Sequence, residues 1–205
     1  MLFQLVAASM LGSTLLAPLP APSAVTRPSA APDPVSWKID VNHSELTFEI
    51  RHLVSRVRGT FKQWSGNVVA DPTNWGTGQV DVTIQTSSID TNNDRRDADL
   101  RSSNFFAADS FPTIIFRSSA VEAKGSDIRI AGTLTMRGVS KPVVLTGQLI
   151  GMTQGANGKR RAGFEASTTV NRLDYGITWN RAAEGGGVVL GDEVKIQVVI
   201  AMVEQ

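Results

Sequence analysis

Val194, Ile196, Val198, Ile200 and Met202 alternate with Lys195, Gln197, Val199 and Ala201, the period of two that a β-strand shows when one face is buried. The same rhythm recurs upstream. Leu46, Phe48 and Ile50 stand between Glu45, Thr47, Glu49 and Arg51, and Val80, Val82 and Ile84 alternate with Asp81, Thr83 and Gln85. Ile114 and Phe116 alternate with Ile115 and Arg117, Leu134 and Met136 with Thr133, Thr135 and Arg137, and Ala162, Phe164, Ala166 and Thr168 with Arg161, Glu165 and Ser167. Turn chemistry separates these runs: Asp71-Pro72, Gly76 to Gly78, Lys124 to Ser126, Gly155 to Lys159 and Gly185 to Gly187. No segment after Trp37 sustains a long helical period. About eight half-buried strands joined by turns predict an all-β antiparallel barrel or sandwich. A closed barrel leaves no edge, and eight strands leave an interior that side chains fill or that holds one small ligand.

One stretch departs from the alternation. Ser88 to Asp99 is crowded with Asn, Asp and Arg, residues that bond their own backbone and favour turns and helix caps. One or two short helices are expected near 97–108, with Asp97 as cap and Ala98, Leu100 and the stem of Arg101 on the apolar side. Phe105 and Phe106 follow, and such rings require burial. They are candidates for a wall or lid at a barrel mouth, with Phe111 packing nearby; an aromatic plug closing that end fits the sequence equally.

Composition narrows the setting. Leu2 to Leu16 is mostly apolar, too short to span a bilayer comfortably, and runs into small residues and prolines. Residues 1–24 therefore read as an export signal, although the first residues supply no Lys or Arg. Residues 25–36 read as an Ala/Pro-rich linker with too little apolar surface to order itself. This leaves 37–205, long enough for one domain with a sizeable core. The expected location is periplasmic or secreted. The chain contains no cysteine, so it has no disulfide, thiol nucleophile or thiolate metal site. A formal net charge of +1, with Lys and Arg scattered among Asp and Glu, gives no basic stripe for nucleic acid.

Several ordered motifs resemble a known family. SIDT from Ser88, Arg96 with Asp97, LRSSNFF from Leu100 and FPTIIFRS from Phe111 are similar to the YceI-like, polyisoprenoid-binding family of bacterial proteins. The likeness extends upstream to WKIDVNHSELTFEIRHL from Trp37 and VRGTF from Val57. Downstream it takes in GTLTMRGVSKP from Gly132, RAGF from Arg161, NRLDYG from Asn171 and GDEV from Gly191. Asp99 departs from the pattern, standing where the resemblance leads one to expect a His before Leu100. The resemblance implies an extended lipocalin-like barrel rather than a sandwich. It also implies a non-enzymatic protein that binds, sequesters or transports a polyisoprenoid, including prenylated quinone-like molecules, along the barrel axis.

The inward positions then become candidate ligand contacts: Leu46, Phe48, Ile50, His52, Phe61, Val82, Ile84, Phe105, Phe106, Phe116, Leu134, Met136, Phe164 and Val198. Period-two apolar residues serve equally as an ordinary core. The alternative is a stress-response or protein-interaction module with a self-packed barrel and no lipid. Either is compatible with a monomer or homodimer. A carrier would add a membrane surface or membrane enzymes as partners during ligand exchange.

Catalytic inventory is thin. The two histidines, His43 and His52, would lie on opposite faces of one strand, roughly 30 Å apart, and cannot share a metal there. His52 falls in phase with Leu46, Phe48 and Ile50, which makes it the candidate for meeting a ligand headgroup. Asp90, Asn92 and Asp94 imitate the start of a calcium loop, but Arg95 replaces its glycine and Arg101 its bidentate glutamate. Turn caps and surface ion pairs among Asp90, Asp94, Arg95, Arg96 and Asp97 are the expected alternative. In the cluster of Arg172, Asp174 and Tyr175, the Tyr hydroxyl is expected to tie down a strand-end turn. No catalytic residue, metal ligand or catalytic cofactor is predicted.

Overall fold

The computed structural model describes residues 34–184 and 186–205. The expected signal segment and most of the linker lie outside the described residues. Eleven strands form one antiparallel sheet: β1 (Val35–Ile39), β2 (Glu45–His52), β3 (Ser55–Phe61), β4 (Trp64–Asp71), β5 (Asn74–Gln85), β6 (Ile89–Asp90), β7 (Thr113–Lys124), β8 (Asp127–Met136), β9 (Val139–Gln154), β10 (Arg160–Asn171) and β11 (Leu190–Glu204). Closure is made by β11, which pairs with β10 along one side and with β2 and then β1 along the other. Because β1 pairs with β4 and β2 with β3, β1 and β2 are one stave broken in two, and so are β3 and β4. In the same way β5 and β6 follow each other along β4 and β3. Counted as staves, the sheet is a closed eight-stranded antiparallel barrel, which settles barrel against sandwich.

The break between β1 and β2 has a local cause. Asp40 accepts from the Asn42 backbone at 3.2 Å and from His43 Nδ1 at 2.8 Å, folding Val41–His43 into a 3-10 turn. Ser44 Oγ then replaces the missing rung, accepting from Ala201 N at 2.9 Å and donating to the Asp40 carbonyl at 2.7 Å. His43 therefore sits on an exposed turn and not on the strand that carries His52, correcting the expectation of one shared strand.

The connections divide between two ends. The β2–β3 and β8–β9 turns, the crossover 91–112 and the segment 172–189 lie at one end, and the β4–β5, β7–β8 and β9–β10 turns at the other. That second end is plugged by fully buried Trp37, whose ring lies 5.3 Å from Trp75, which meets the edge of Phe164 at 4.9 Å. Ala70, Ala162 and Met202 complete the plug. Gly76 to Gly78, expected as a turn, runs inside β5. The glycine marks close backbone packing, since a Cβ on Gly78 would stand 2.9 Å from the Trp75 carbonyl oxygen.

At the first end the crossover contains a single helix, α1 (Asp94–Arg101). Its cap is Asn93, whose side chain accepts from Arg96 N at 3.0 Å. Asp97 is therefore not the cap. It is buried inside the helix, and its carboxylate reaches back to accept from Thr91 N at 2.9 Å and Thr91 Oγ1 at 2.5 Å. Of the expected turn caps and surface ion pairs Asp90 makes both, accepting from Asn92 N at 2.7 Å and pairing with Lys62, while the arginines bond mainly to backbone. Arg96 donates to Thr91 Oγ1 and Thr91 O, Arg101 donates to the carbonyls of Ser87 and Ile89, and Asp90 pairs with Lys62 at 3.3 Å. Arg137, on the β8–β9 turn, donates to the carbonyls of Ser103 and Gly176, tying crossover and 172–189 segment together over the barrel end. Among the described residues no helix is long and apolar enough to cross a membrane.

Candidate ligand cavity

Alternation puts one residue in two of every stave inside the barrel, and those inward side chains do not fill it. A cavity of about 360 Å3 occupies the interior, within the range of about 300–1,000 Å3 common for ligand pockets. Phe48, Ile50, Val82, Leu145, Val194, Ile196 and Val198 point inward yet remain only partly buried. In a packed core such residues would be shut off from a water-sized probe. Their exposure is to the cavity.

Every candidate contact read from the sequence lies on this wall. β2 contributes Leu46, Phe48, Ile50 and His52; β3 contributes Phe61, β5 Val82 and Ile84, β7 Phe116, β8 Leu134 and Met136, β10 Phe164 and β11 Val198. From the crossover, Phe105 packs on Trp179 at 5.2 Å between ring centroids and Phe106 meets Phe61 edge-on at 6.0 Å. Phe111 stands apart, packed against the β8–β9 turn, where a Cβ on Gly138 would lie 2.8 Å from its ring.

Sequence alternation misses part of the wall. Val143 and Leu145 come from β9, whose successive apolar residues Val143-Val144-Leu145 blur the period of two. Trp64, Trp75 and Trp179 also line it. Arg96 and Asp99 reach the wall from α1, and Asp99 is the one exposed residue on it. The cavity therefore opens beside α1, with His52 and Arg96 half-buried near that opening. No wall residue at the Trp37 end is exposed.

Arg172 is the buried charge of the site, 3 % exposed. Its guanidinium donates to the carbonyls of Gly191 at 2.8 Å, Ile177 at 2.6 Å and Trp179 at 2.8 Å, and to Asp192 Oδ1 at 3.2 Å. Burial pulls its pKa below the ordinary value, and Asp192 opposes that shift. The residue thus holds the 172–189 segment over the barrel end and is fully engaged in doing so. Tyr175, expected to anchor a turn, is 2 % exposed with its hydroxyl unpartnered among the described residues, and burial together with Asp174 pushes its pKa up to about 12. The turn is held instead by Arg172 and by Asn171, whose side chain accepts from Leu173 N at 2.9 Å. Among the described residues no cluster of His, Asp and Glu is arranged to hold a metal ion.

A closed meander of eight antiparallel staves around an apolar cavity defines a lipocalin-like binding barrel. The family model for the YceI-like domain matches residues 37–202, and the chain belongs to that family. It is 43 % identical over 145 residues to a UPF0312 protein of Enterobacter sp. (strain 638), covering 69 % of this chain and 76 % of that one. Protein YceI of Salmonella newport (strain SL254) is 41 % identical over the same span and coverage. Among solved structures, a YCEI protein of Campylobacter jejuni superposes with a TM-score of 0.66 at 29 % identity, covering 76 % of this chain and 90 % of that one. BcnA of Burkholderia cenocepacia shares the fold with a TM-score of 0.68 at 22 % identity, covering 80 % and 98 %. So does a polyisoprenoid binding domain from Saccharophagus degradans, with a TM-score of 0.61 at 15 % identity over 83 % and 99 %.

Proposed function

We propose that this chain is a non-enzymatic carrier that holds a polyisoprenoid, prenylated quinone-like or other long-chain lipid in its barrel. The observation that carries the reading is the unfilled apolar tunnel with half-exposed inward side chains. Burying a CH2 group is worth about 0.8 kcal/mol, so a long prenyl chain is retained by a dry wall with almost no directed hydrogen bonds. A fold neighbour described as a polyisoprenoid binding domain supports the same cargo class. A self-packed interaction module needs a filled interior, and the tunnel opposes it. His52, Arg96 and Asp99 stand where the headgroup of a chain buried tail-first would emerge. The apolar run from Leu2 to Leu16 supports export of the carrier to the periplasm or out of the cell as part of this reading.

The test is native mass spectrometry of the mature protein made with its own leader in a bacterial periplasm, followed by solvent extraction. A stoichiometric prenyl lipid supports the carrier and names its cargo. Protein that is reproducibly empty and takes up no prenyl lipid from vesicles overturns it.

A further inference from the structure

Leu53 and Val54 form the two-residue tip of the β2–β3 hairpin, at the same end of the barrel as the mouth. Val54 is 104 % exposed, far above any other large apolar residue described, and Leu53 beside it is 44 % exposed. Leu53 also has φ of 52°, a left-handed conformation that hairpin tips normally fill with Gly or Asn because a Cβ is disfavoured there. A tip selected for folding would not carry this pair. The Leu53 N–H donates to the Val189 carbonyl at 2.8 Å, which sets exposed Val188 beside the tip. His52, the residue before the tip, is on the tunnel wall.

The flanks of the tip are basic. Arg51, Arg56 and Arg58 accompany it; between residues 49 and 58 the one acid is Glu49, which holds Arg56 and Arg58 at 2.5 and 2.7 Å, and on β11 Asp192, engaged by Arg172, and Glu193 follow Gly191 beside Arg51. Arg51 turns toward the tip and donates to the Leu53 carbonyl at 3.3 Å. An apolar point with an arginine collar matches a bilayer interface with anionic headgroups, where aliphatic side chains enter the acyl boundary and guanidinium groups stay at headgroup level.

We propose that the Leu53-Val54 tip, with Val188 beside it, docks the barrel mouth onto an anionic lipid surface. The proposal rests on the carrier reading. It supplies the step that reading leaves open, since a chain too apolar to cross water has to pass from bilayer to tunnel while the two are in contact. Docking at this tip puts the wall residue His52 next to the membrane.

The test is flotation of the mature protein with vesicles of phosphatidylethanolamine and phosphatidylglycerol, and with vesicles of phosphatidylcholine alone. Wild type is expected to float with the anionic vesicles and less with the neutral ones. Val54→Asp, at a site fully outside the fold, is expected to lower partitioning by about tenfold or more. Leu53→Asn suits the left-handed position, so it should melt at or above the wild-type midpoint and yet dock less. Loading with a prenyl lipid from detergent solution, which bypasses the membrane, is expected to be equal in all three proteins. Wild type that floats with neither vesicle, or Val54→Asp that floats as well as wild type, overturns the proposal even if loading is normal. Tip-dependent flotation of a protein that never loads sustains docking and removes the carrier reading. If Val54→Asp dissociates a dimer and leaves flotation unchanged, the tip is a contact between copies and the proposal fails.

Discussion

Phe48 and Gly59 face each other across the β2–β3 pair, and the Phe48 ring occupies the space that a side chain at 59 would need: a Cβ there would lie 2.4 Å from Phe48 Cζ. The ring is on the tunnel wall. Gly59→Ala is therefore expected to push it inward, costing about 1–3 kcal/mol in chemical denaturation and reducing the prenyl lipid retained after extraction. Unchanged retention with unchanged stability would show that the ring has another place to go.

Filling the tunnel from β11 separates cavity from core. Val198→Phe adds volume where the inward face is only partly buried, so lipid retention should fall several-fold with the melting midpoint unchanged or raised. A clear drop in the midpoint would mean the interior is already full there.

Arg172 bonds three carbonyls and Asp192 from a buried position. Arg172→Ala is expected to cost about 3–5 kcal/mol in urea denaturation, because buried acceptors lose their charged partner. Arg172→Lys should recover little of it, since a single ammonium cannot reproduce the planar fork.

The Tyr175 hydroxyl has no hydrogen-bond partner among the described residues. Tyr175→Phe removes a buried polar atom and is expected to leave stability unchanged or raise it by about 1 kcal/mol, read by thermal unfolding. A loss of comparable size would reveal a bound water on that oxygen.

At the plugged end, hydrogen bonds from Arg160 at 2.6 and 2.7 Å hold the Glu204 pKa down to about 2 from the ordinary 4.5. A depressed carboxylate stabilises the fold above its unfolded value and loses that contribution as pH falls through the folded one. Melting midpoints of wild type and Glu204→Gln should thus differ at neutral pH and converge between about pH 4.5 and about pH 2. A gap that persists at pH 2 would assign the effect to packing over Trp37.

Much of this barrel is legible along the chain because its outward faces are polar. Lys195 and Gln197 frame Ile196, and Thr133 and Thr135 frame Leu134, so face and register are written together. In β9 that contrast is lost at Val143-Val144-Leu145, and β1 and β4 are too short or too interrupted to show it. The strand part of the tunnel wall follows largely from parity, which is why the inward residues read from the alternating runs lie on it. The mouth does not. Arg96, Asp99 and Arg172 reach it from connections whose position depends on barrel closure. The choice of Asn93 over Asp97 as cap likewise depends on Thr91 being folded back within reach of the buried carboxylate.

A tube sealed at the Trp37 end acts as a ruler. On the carrier reading a chain entering tail-first stops against Trp75 and Phe164, with Trp37 packed behind Trp75, so its length decides whether the polar end rests at His52 and Arg96 or protrudes into water. Changing the depth of the seal, with Trp75→Ala for instance, is then a way to retune the length of chain the barrel prefers without touching the mouth.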